Sequence, residues 1–469
     1  MEAAQIIRKD EIFKQLPPPY AHSLLAEIQS IVKTTKTTVV VLDDDPTGTQ
    51  TVHQVPVLTE WKEQTLIQEL QKDEPLFYIL TNSRSMNAAT ARKTVKEICS
   101  RLDQAARQTG RKLLIVSRGD STLRGHYPLE VEAVAEGLSY PDYITLLIPA
   151  FFEGGRYTIN NVHYVQEGEN LIPAGLTPFA QDATFGYSHS DLRDFVEEKT
   201  DGAVKAESVI ALELEKLRNQ GPDYVQSVLE SCADNAVVIV NAADYQDLYV
   251  VTAGLLRVGR RIVLRTAASI VPPLAGMEVA PILQNQDFNY AGGGTNSLII
   301  VGSHVPKSTL QLNYLLKNGQ DISPVELDVQ VVLDSDLRAV VNKYADQVNQ
   351  LLEDGNDVVL FTSRKLISFE DKFASLAFSK KVSDTLTGVV AALRQQPKSI
   401  IAKGGITSSD IATDGLGVKR AMVKGPVLPG VPVWELGPES KFPGMNYVVF
   451  PGNVGGEEAV FEVYLKTKS

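Results

Sequence analysis

The 469-residue sequence has little cysteine or histidine and no long apolar run. Its two cysteines, Cys99 and Cys232, make no disulfide framework, and its six histidines include no pair at the spacing of zinc ligands. These shortages exclude a disulfide-rich secreted scaffold and a zinc finger, and they favour a reducing, cytoplasmic setting. No run approaches the roughly 20 apolar residues of a membrane-spanning helix, and the charged N-terminus MEAAQIIRKDEIFKQL lacks the apolar core of a signal peptide.

Positive charge is also scarce, because 45 Lys and Arg face 57 Asp and Glu and leave a net charge of -12. We therefore expect neither nucleic acid nor an anionic membrane as a partner. An anionic small molecule would need a local cluster of positive side chains. The chain is long enough for two domains of roughly 200 residues each, and its hydrophobic content of 43% is that of an ordinary globular protein.

What the sequence does contain is an acidic loop directly after a short apolar strand, in VVVLDDDPTGTQ at residues 39–50. Asp43, Asp44 and Asp45 follow the apolar run, and Pro46 and Gly48 supply turn chemistry. Ligands of open α/β sheets bind at the carboxyl ends of strands. An acidic turn with nothing bound is one interpretation. Three adjacent carboxylates instead favour a loop that holds a cation, or that accepts hydrogen bonds and a proton from a hydroxylated substrate.

Two further strands predicted in the first half also end in polar loops. The apolar run 76–80 leads to Arg84, and the run 113–116 leads to Arg118, Asp120 and Arg124. Because the carboxyl ends of parallel strands meet at one sheet edge, these side chains are expected to share a site with the acidic loop. An arginine fork suits a carboxylate. Each arginine taken alone is explained equally well by a surface ion pair.

Strands that alternate with helices, such as the one predicted over 88–109, indicate an α/β fold with two domains, each a mostly parallel sheet flanked by helices. We expect an N-terminal domain over 1–285, a linker over 286–295 and a C-terminal domain over 296–469. Residues 151–235 show no clean periodicity, and either a lid or an insertion fits them. A second strand–helix alternation begins at Leu298.

The C-terminal half contains three glycine-rich stretches. In the loop KGGITSS at 403–409, a diglycine between strand and helix lets backbone N–H groups approach phosphate oxygens; a tight turn with a Ser or Thr cap is the alternative. GPVLPGVP at 425–432 and PGNVGG at 451–456 are predicted to be further turns. Their density suggests that backbone groups contact a ligand here.

With these motifs in view, the chain strongly resembles the four-carbon acid sugar kinase family, which acts on tetronates such as threonate, erythronate and 3-oxo-tetronate. The resemblance spans almost the whole length and rests on the order of five elements. These are Asp44-Asp45-x-Thr47-Gly48, Arg118 to Gly125, Gly302-Ser303, Lys403 to Ser408, and Pro451 to Gly455.

The resemblance implies an N-terminal acid-sugar domain, a C-terminal nucleotide domain, and transfer of the ATP γ-phosphoryl group, with Mg²⁺, to the terminal hydroxyl of the sugar acid. It implies no metal ligand from the protein and leaves a homo-oligomer open. The resemblance and the residue patterns together predict the site residues: Asp45 and Asp120 for catalysis; Asp44, Arg84, Arg118 and Arg124 for the substrate; and Ser303, Gly404, Gly405, Ile406, Thr407 and Gly452 for the nucleotide.

Two other functions use the same residues. Asp43-x-Asp45-x-Thr47 fits the signature of haloacid-dehalogenase-like phosphatases, with Asp43 as nucleophile and Asp45 as acid and base. Their late acidic motif is missing, because Arg124 stands where a second Asp after Asp120 would be needed. A nonenzymatic sugar-acid-binding protein is the other alternative, and it would leave the C-terminal glycine loops without a role.

Overall fold

The structure is a computed structural model that describes residues 5–288, 294–303, 305–364, 367, 372–452 and 454–468. Its contacts divide the chain into two units. The first unit comprises Met1–Thr51 and Glu60–Val279, and the second comprises Val52–Thr59 and Ala280–Ser469. Of the predicted linker at 286–295, residues 289–293 lie outside the described residues.

Strands and helices alternate along both units. The strands are β1 (Ile7–Arg8), β2 (Thr37–Asp43), β3 (Val55–Leu58), β4 (Leu76–Leu80), β5 (Lys112–Arg118), β6 (Ile144–Ile148), β7 (Arg156–Ile159), β8 (Val162–Glu167), β9 (Asn170–Pro173), β10 (Ile210–Leu212), β11 (Val237–Val240), β12 (Ile262–Thr266), β13 (Ser297–Val301), β14 (Ile322–Leu327), β15 (Asp357–Thr362), β16 (Ser399–Lys403), β17 (Arg420–Leu428), β18 (Val431–Leu436) and β19 (Asn446–Phe450). The helices are α1 (Lys9–Gln15), α2 (Leu25–Thr34), α3 (Glu63–Gln71), α4 (Ala88–Thr109), α5 (Leu129–Gly137), α6 (Leu192–Lys199), α7 (Leu214–Gln220), α8 (Pro222–Ser231), α9 (Tyr245–Leu256), α10 (Val271–Leu274), α11 (Pro306–Asn318), α12 (Val329–Asp334), α13 (Leu337–Glu353), α14 (Lys372–Ala391), α15 (Gly405–Asp410) and α16 (Ala459–Lys468).

The first unit is organised around a parallel sheet with the strand order β10-β11-β6-β12-β5-β2-β4. Every residue of β2 and β4 is buried, as expected for strands covered by helices on both faces. In the register of β2, Asp43 lies opposite Leu80 of β4 and Arg118 of β5. The carboxyl ends of these three strands therefore lie side by side.

Residues 151–235, which show no clean periodicity in sequence, contribute three strands to a second, antiparallel sheet. Its order is β1-β9-β8-β7, and it is followed by α6 to α8. Tyr157, Ile159 and Tyr164 pack on its buried face together with Phe13 of α1. This small sheet belongs to the first unit.

The second unit carries a sheet with the order β3-β17-β18-β19-β16-β13-β15-β14, parallel from β19 to β14 and antiparallel from β3 to β19. Pro306 occupies the first turn of α11, where its missing N–H group would have no partner within the helix. The predicted fold class, α/β with a mostly parallel sheet and flanking helices in each domain, is confirmed. None of the described helices is long and apolar enough to cross a membrane.

The stretch 425–432 was predicted to be a glycine-rich turn, but the turn is confined to 429–430. The other six residues lie in β17 and β18, at the end of the hairpin next to the turn. The register shifts between Val423 and Gly425 and again between Pro426 and Leu428. Bulges of this kind accommodate glycine and proline within a strand, which explains why the turn chemistry was misleading.

Candidate functional site

The acidic loop lies at the carboxyl end of β2, where the sequence predicted it. Asp43 and Asp44 are 2% exposed, so both carboxylates are enclosed by protein. Asp45 is more open, with a side chain 19% exposed. Its Oδ1 accepts hydrogen bonds from the backbone N–H of Thr47 at 2.9 Å and from Thr47 Oγ1 at 2.5 Å. These bonds cap the short 3₁₀ turn Pro46–Thr49 and fix the direction of the Asp45 side chain.

Arg84 reaches the acidic loop from the end of β4. Its Nε donates to Asp44 Oδ2 at 3.0 Å and its Nη2 to Asp44 Oδ1 at 2.6 Å. Its Nη1 also lies 3.6 Å from Asp45 Oδ2. The structure thus brings these three predicted residues together, with most of the Arg84 charge matched by Asp44.

Arg118, the last residue of β5, lies beside Asp43. Its Nη1 donates to Asp43 Oδ1 at 3.1 Å and lies 3.5 Å from Asp44 Oδ1. Burial raises the pKa of Asp43 to about 7; Arg118 opposes the shift, and Asp44 and Asp45 add to it. A Cβ at Gly48 would lie 2.1 Å from Asp43 Oδ2, so the loop closes tightly over this carboxyl group. A phosphatase nucleophile must reach a substrate phosphorus, and Asp43 is poorly placed to do so.

Asp120 and Arg124 form a second ion pair in the loop after β5. Arg124 Nε donates to Asp120 Oδ2 at 2.7 Å, and Thr122 Oγ1 donates to the same oxygen. Burial would raise the pKa of Asp120, but Arg124, Arg84 and these hydrogen bonds together hold it well below its usual range. The pKa of Asp45 is also lowered. Burial opposes this shift, whereas Arg84 and Thr47 favour it. Both predicted catalytic carboxyl groups are therefore ionised at neutral pH.

A buried network beneath these loops was not predicted from the sequence. Glu130 accepts hydrogen bonds from Ser83 Oγ at 2.5 Å and from Arg265 Nη1 at 2.6 Å. A Cβ at Gly119 or Gly125 would lie 2.3 or 2.7 Å from Arg265 Nη2, so both glycines pack directly on this guanidinium. The network ties the ends of β4, β5 and β12 together. Its only sequence signal is a charged residue inside each of two apolar segments.

Side chains of the region 151–235 hold the loop after β5. His163 Nε2 donates to the carbonyl oxygen of Ser121 at 2.8 Å, and Tyr187 Oη donates to that of Thr122 at 2.7 Å. Burial lowers the pKa of His163 to about 4, which keeps its ring neutral, with Nδ1 free to accept from Thr158 Oγ1 at 3.0 Å. This region fixes the loop that carries Asp120 and Arg124.

In the second unit, the exit loops of β13 and β16 meet. A Cβ added at Gly302 would lie 2.5 Å from Thr407 Oγ1, and one added at Gly404 would lie 3.4 Å from the same oxygen. A Cβ at Gly404 would also lie 3.7 Å from the Cβ of Ser303. Gly404 has φ +119°, a conformation that favours glycine. Ser303, Gly404 and Thr407 therefore lie close together, as the motifs implied.

The same loop is held against the turn at 451–452. Lys403 is fully buried; its Nζ donates to the carbonyl oxygen of Pro451 at 3.0 Å and lies 4.4 Å above the ring of Phe450. Burial lowers the pKa of Lys403 to about 7. A Cβ at Gly452 would have no atom of the described residues within 4 Å, so this glycine faces open space.

The other two predicted nucleotide residues lie at the start of α15. Gly405 is the first residue of that helix, and the side chain of Ile406 is 58% exposed. An exposed apolar side chain beside a glycine loop can pack against a flat ring. Within the described ranges, no group of three or more His, Cys, Asp or Glu side chains is arranged to hold a metal ion.

Two family sequence models match the chain. A sugar-binding N-terminal domain matches residues 39–274, and a nucleotide-binding C-terminal domain matches residues 298–460. The first match contains Asp44, Asp45, Arg84, Arg118 and Asp120. The second contains Ser303, the loop 404–407 and Gly452. No protein with curated annotation matches the sequence.

Two solved structures share the fold. Haemophilus influenzae protein HI1011, assigned to the DUF1537 family, is 16% identical with a TM-score of 0.61, and the match covers 91% of this chain and 100% of that one. A Salmonella typhimurium LT2 protein, provisionally described as a tRNA synthase, is 14% identical with a TM-score of 0.66, covering 92% and 98%. At these identities the likeness concerns the fold alone. The two domain matches span most of the sequence, and the chain therefore belongs to the four-carbon acid sugar kinase family.

Proposed function

We propose that this protein is an ATP-dependent kinase that phosphorylates the terminal hydroxyl of a four-carbon sugar acid, a tetronate or 3-oxo-tetronate, in carbohydrate catabolism. The observation that carries this proposal is the cluster of Asp44, Asp45, Arg84, Arg118 and Asp120 at adjoining strand ends of the sugar-binding unit. Ionised carboxylates accept hydrogen bonds from sugar hydroxyls, and guanidiniums attract the acid group.

We assign to Asp45 the role of accepting the proton of the attacking hydroxyl. Its Oδ1 accepts hydrogen bonds from Thr47, while Oδ2 lies 3.6 Å from Arg84 and belongs to a partly exposed side chain. Asp120 Oδ2 accepts hydrogen bonds from Arg124 and Thr122, so this carboxylate is already engaged by the protein and is a weaker proton acceptor. We assign to Asp120 the positioning of Arg124. Catalysis then rests on positioning and electrostatics, as is usual for phosphoryl transfer.

The nucleotide contacts are assigned to Ser303, the loop 404–407 and Gly452. Support comes from the open space at Gly452 and from the small residues that meet beside Thr407. ATP supplies the phosphoryl group, and Mg²⁺ neutralises its phosphate charges. The protein residues bind and orient the phosphates through backbone N–H groups and hydroxyls.

The test is ADP formation by the full-length protein with ATP, Mg²⁺ and a panel of threonate, erythronate and 3-oxo-tetronate stereoisomers. A kinase consumes ATP only when a sugar acid is present, and ³¹P NMR should detect a phosphate monoester on the terminal carbon. ADP formation that is independent of every acid in the panel would contradict the assignment.

The alternatives give different results in the same assay. A phosphatase that uses Asp43 and Asp45 would release inorganic phosphate from sugar phosphates without ATP. A nonenzymatic binding protein would bind a sugar acid and form no ADP. The enclosure of Asp43 by Arg118 and Gly48 disfavours the first alternative.

A further inference from the structure

Arg156 lies near the candidate site, and no carboxylate among the described residues forms an ion pair with its guanidinium. It begins β7, and its Nη1 donates to the carbonyl oxygen of Gly154. Its Nε is buried and has no hydrogen-bond partner within the part of the chain that the structure describes. Over the same described part, no carboxylate lies within 4.0 Å of its nitrogens. A donor in this situation costs free energy until an acceptor binds.

The ring of Phe179 connects Arg156 to the site. The Cζ of Arg124 lies 5.1 Å from the ring centre and that of Arg156 lies 6.0 Å from it, so two guanidiniums share one aromatic side chain. Burial lowers the pKa of Arg156; Asp120 opposes the shift, and Arg124 adds to it. Glu167 also opposes this shift, but its side chain is exposed.

The other arginines of the cluster differ in this respect. Arg84 forms two hydrogen bonds with Asp44, Arg118 contacts Asp43 and Asp44, and Arg124 contacts Asp120. Arg118 Nε also lacks a partner among the described residues, but the charge of its guanidinium is already matched. A sugar acid that binds these three arginines would have to compete with carboxylates of the protein.

We propose that Arg156, assisted by Arg124, binds the carboxylate of the sugar acid and selects for acids over neutral sugars. This inference deepens the proposed function and rests on it for the identity of the ligand. A carboxylate fits a planar guanidinium through charge-assisted hydrogen bonds, and Arg156 retains an unused donor for them. A phosphate has the same oxyanion chemistry, so the experiment separates the two ligands.

Binding is measured by titration calorimetry on the full-length protein without ATP, with threonate, erythronate and 3-oxo-tetronate as probes. Arg156→Met should weaken binding of the preferred acid by at least about tenfold, and Arg156→Lys should restore part of the loss. Threitol, which has the same carbon skeleton but no carboxylate, should bind wild type and Arg156→Met equally. Arg193→Met, in the same part of the chain but paired with Asp191, should bind like wild type.

Equal affinity of wild type and Arg156→Met for the acid would overturn the proposal, as would failure of wild type to bind any probe. Inorganic phosphate is titrated in the same way. If Arg156→Met loses phosphate binding but keeps acid binding, the residue belongs to a phosphoryl site and the proposal is overturned. Thermal melting of each variant shows whether it is folded. Arg156→Lys keeps the positive charge, so restored binding in this variant distinguishes loss of charge from loss of stability.

The two proposals fail separately. If the acid binds through Arg156 and no ADP forms, the kinase assignment fails while the carboxylate site stands. If ADP forms equally well with wild type and Arg156→Met at low acid concentration, the carboxylate site fails and the kinase stands.

Discussion

Asp44 is held by Arg84 through both of its carboxylate oxygens, at 2.6 and 3.0 Å. Asp44 also lies 3.5 Å from Arg118, so one enclosed carboxylate balances two guanidiniums. Asp44→Asn would leave both positive charges short of their partner. We expect a loss of about 3–5 kcal/mol in the free energy of unfolding, measured by urea denaturation, because removing one member of a buried ion pair is costly.

Asp142→Asn is the matched control for that measurement. Asp142 lies 3.0 Å from Arg261, and both side chains are more than 40% exposed. Surface pairs contribute about 0–1 kcal/mol, so this variant should be nearly neutral. Similar losses in the two variants would contradict the structural importance of the Asp44 pair.

Asp45→Asn should lower kcat by about 10² to 10⁴ because it removes the proton acceptor. ATP binding, measured by calorimetry, should survive because the nucleotide contacts are assigned to other residues. Unchanged turnover would remove Asp45 from this role. A parallel measurement on Asp142→Asn controls for the loss of a negative charge elsewhere.

Asp43 should give stability a pH dependence opposite to that of an ordinary carboxylate. Its folded-state pKa of about 7 exceeds the unfolded value of about 3.9, so the folded protein holds a proton that the unfolded chain releases. The stabilising contribution is complete below the unfolded pKa and is lost as the pH rises through 7. The unfolding free energy of wild type relative to Asp43→Asn should therefore fall between about pH 5 and pH 8.

Asp120→Asn provides the contrast for that experiment. Its folded-state pKa is lowered, so its contribution is present above the unfolded pKa and is lost only on acidification. The difference in unfolding free energy between wild type and Asp120→Asn should therefore stay constant over the same pH window. A flat curve for Asp43→Asn as well would show that Arg118 keeps Asp43 ionised throughout.

Gly48→Ala should destabilise the acidic loop, because the new Cβ would lie within 2.4 Å of three atoms of the Asp43 carboxyl group. Overpacking of this kind costs typically about 1–3 kcal/mol, and thermal unfolding measures it. Gly259→Ala is the control, since a Cβ there has no atom of any described residue within 4 Å. Equal melting temperatures for the two variants would argue against tight closure of the loop.

Gly452→Ala tests the nucleotide assignment without disturbing the protein. In the part of the chain that the structure describes, no atom lies within 4 Å of the new Cβ, so the unfolding free energy should change by less than about 0.5 kcal/mol. If a phosphate approaches this backbone, the methyl group will obstruct it and raise the Kd for ATP. Wild-type ATP affinity in Gly452→Ala would exclude close approach at this turn.

Most of the fold was predicted from short apolar runs bounded by polar residues. The strand at Leu76–Leu80 and the helix at Ala88–Thr109 have the bounds predicted from sequence, since burial on both faces and an Asn cap with a C-terminal glycine leave clear signals. Parallel strand ends meet by topology, which is why Asp45, Arg84 and Asp120 could be grouped in advance.

The rest depended on contacts between residues distant in sequence. Glu130 and Arg265 are 135 residues apart and lie inside apolar segments, so neither carries a local sign of its partner. His163 and Tyr187 act through backbone carbonyl groups of the loop after β5, which leave no trace in side-chain patterns. Arg156 stood in a stretch without periodicity, and only its unmatched charge in the folded chain makes it a candidate.

The segment Val52–Thr59 limits how this molecule can be divided. β3 pairs with β17 at Val57 and Ala421, yet in sequence it lies between two parts of the other unit. A protease that cuts once near residue 280 would release a C-terminal fragment whose β17 has an uncovered edge, and such edges pair with whatever strand they meet. Expressing the nucleotide-binding half alone therefore requires grafting this short strand onto it, and a simple truncation should aggregate.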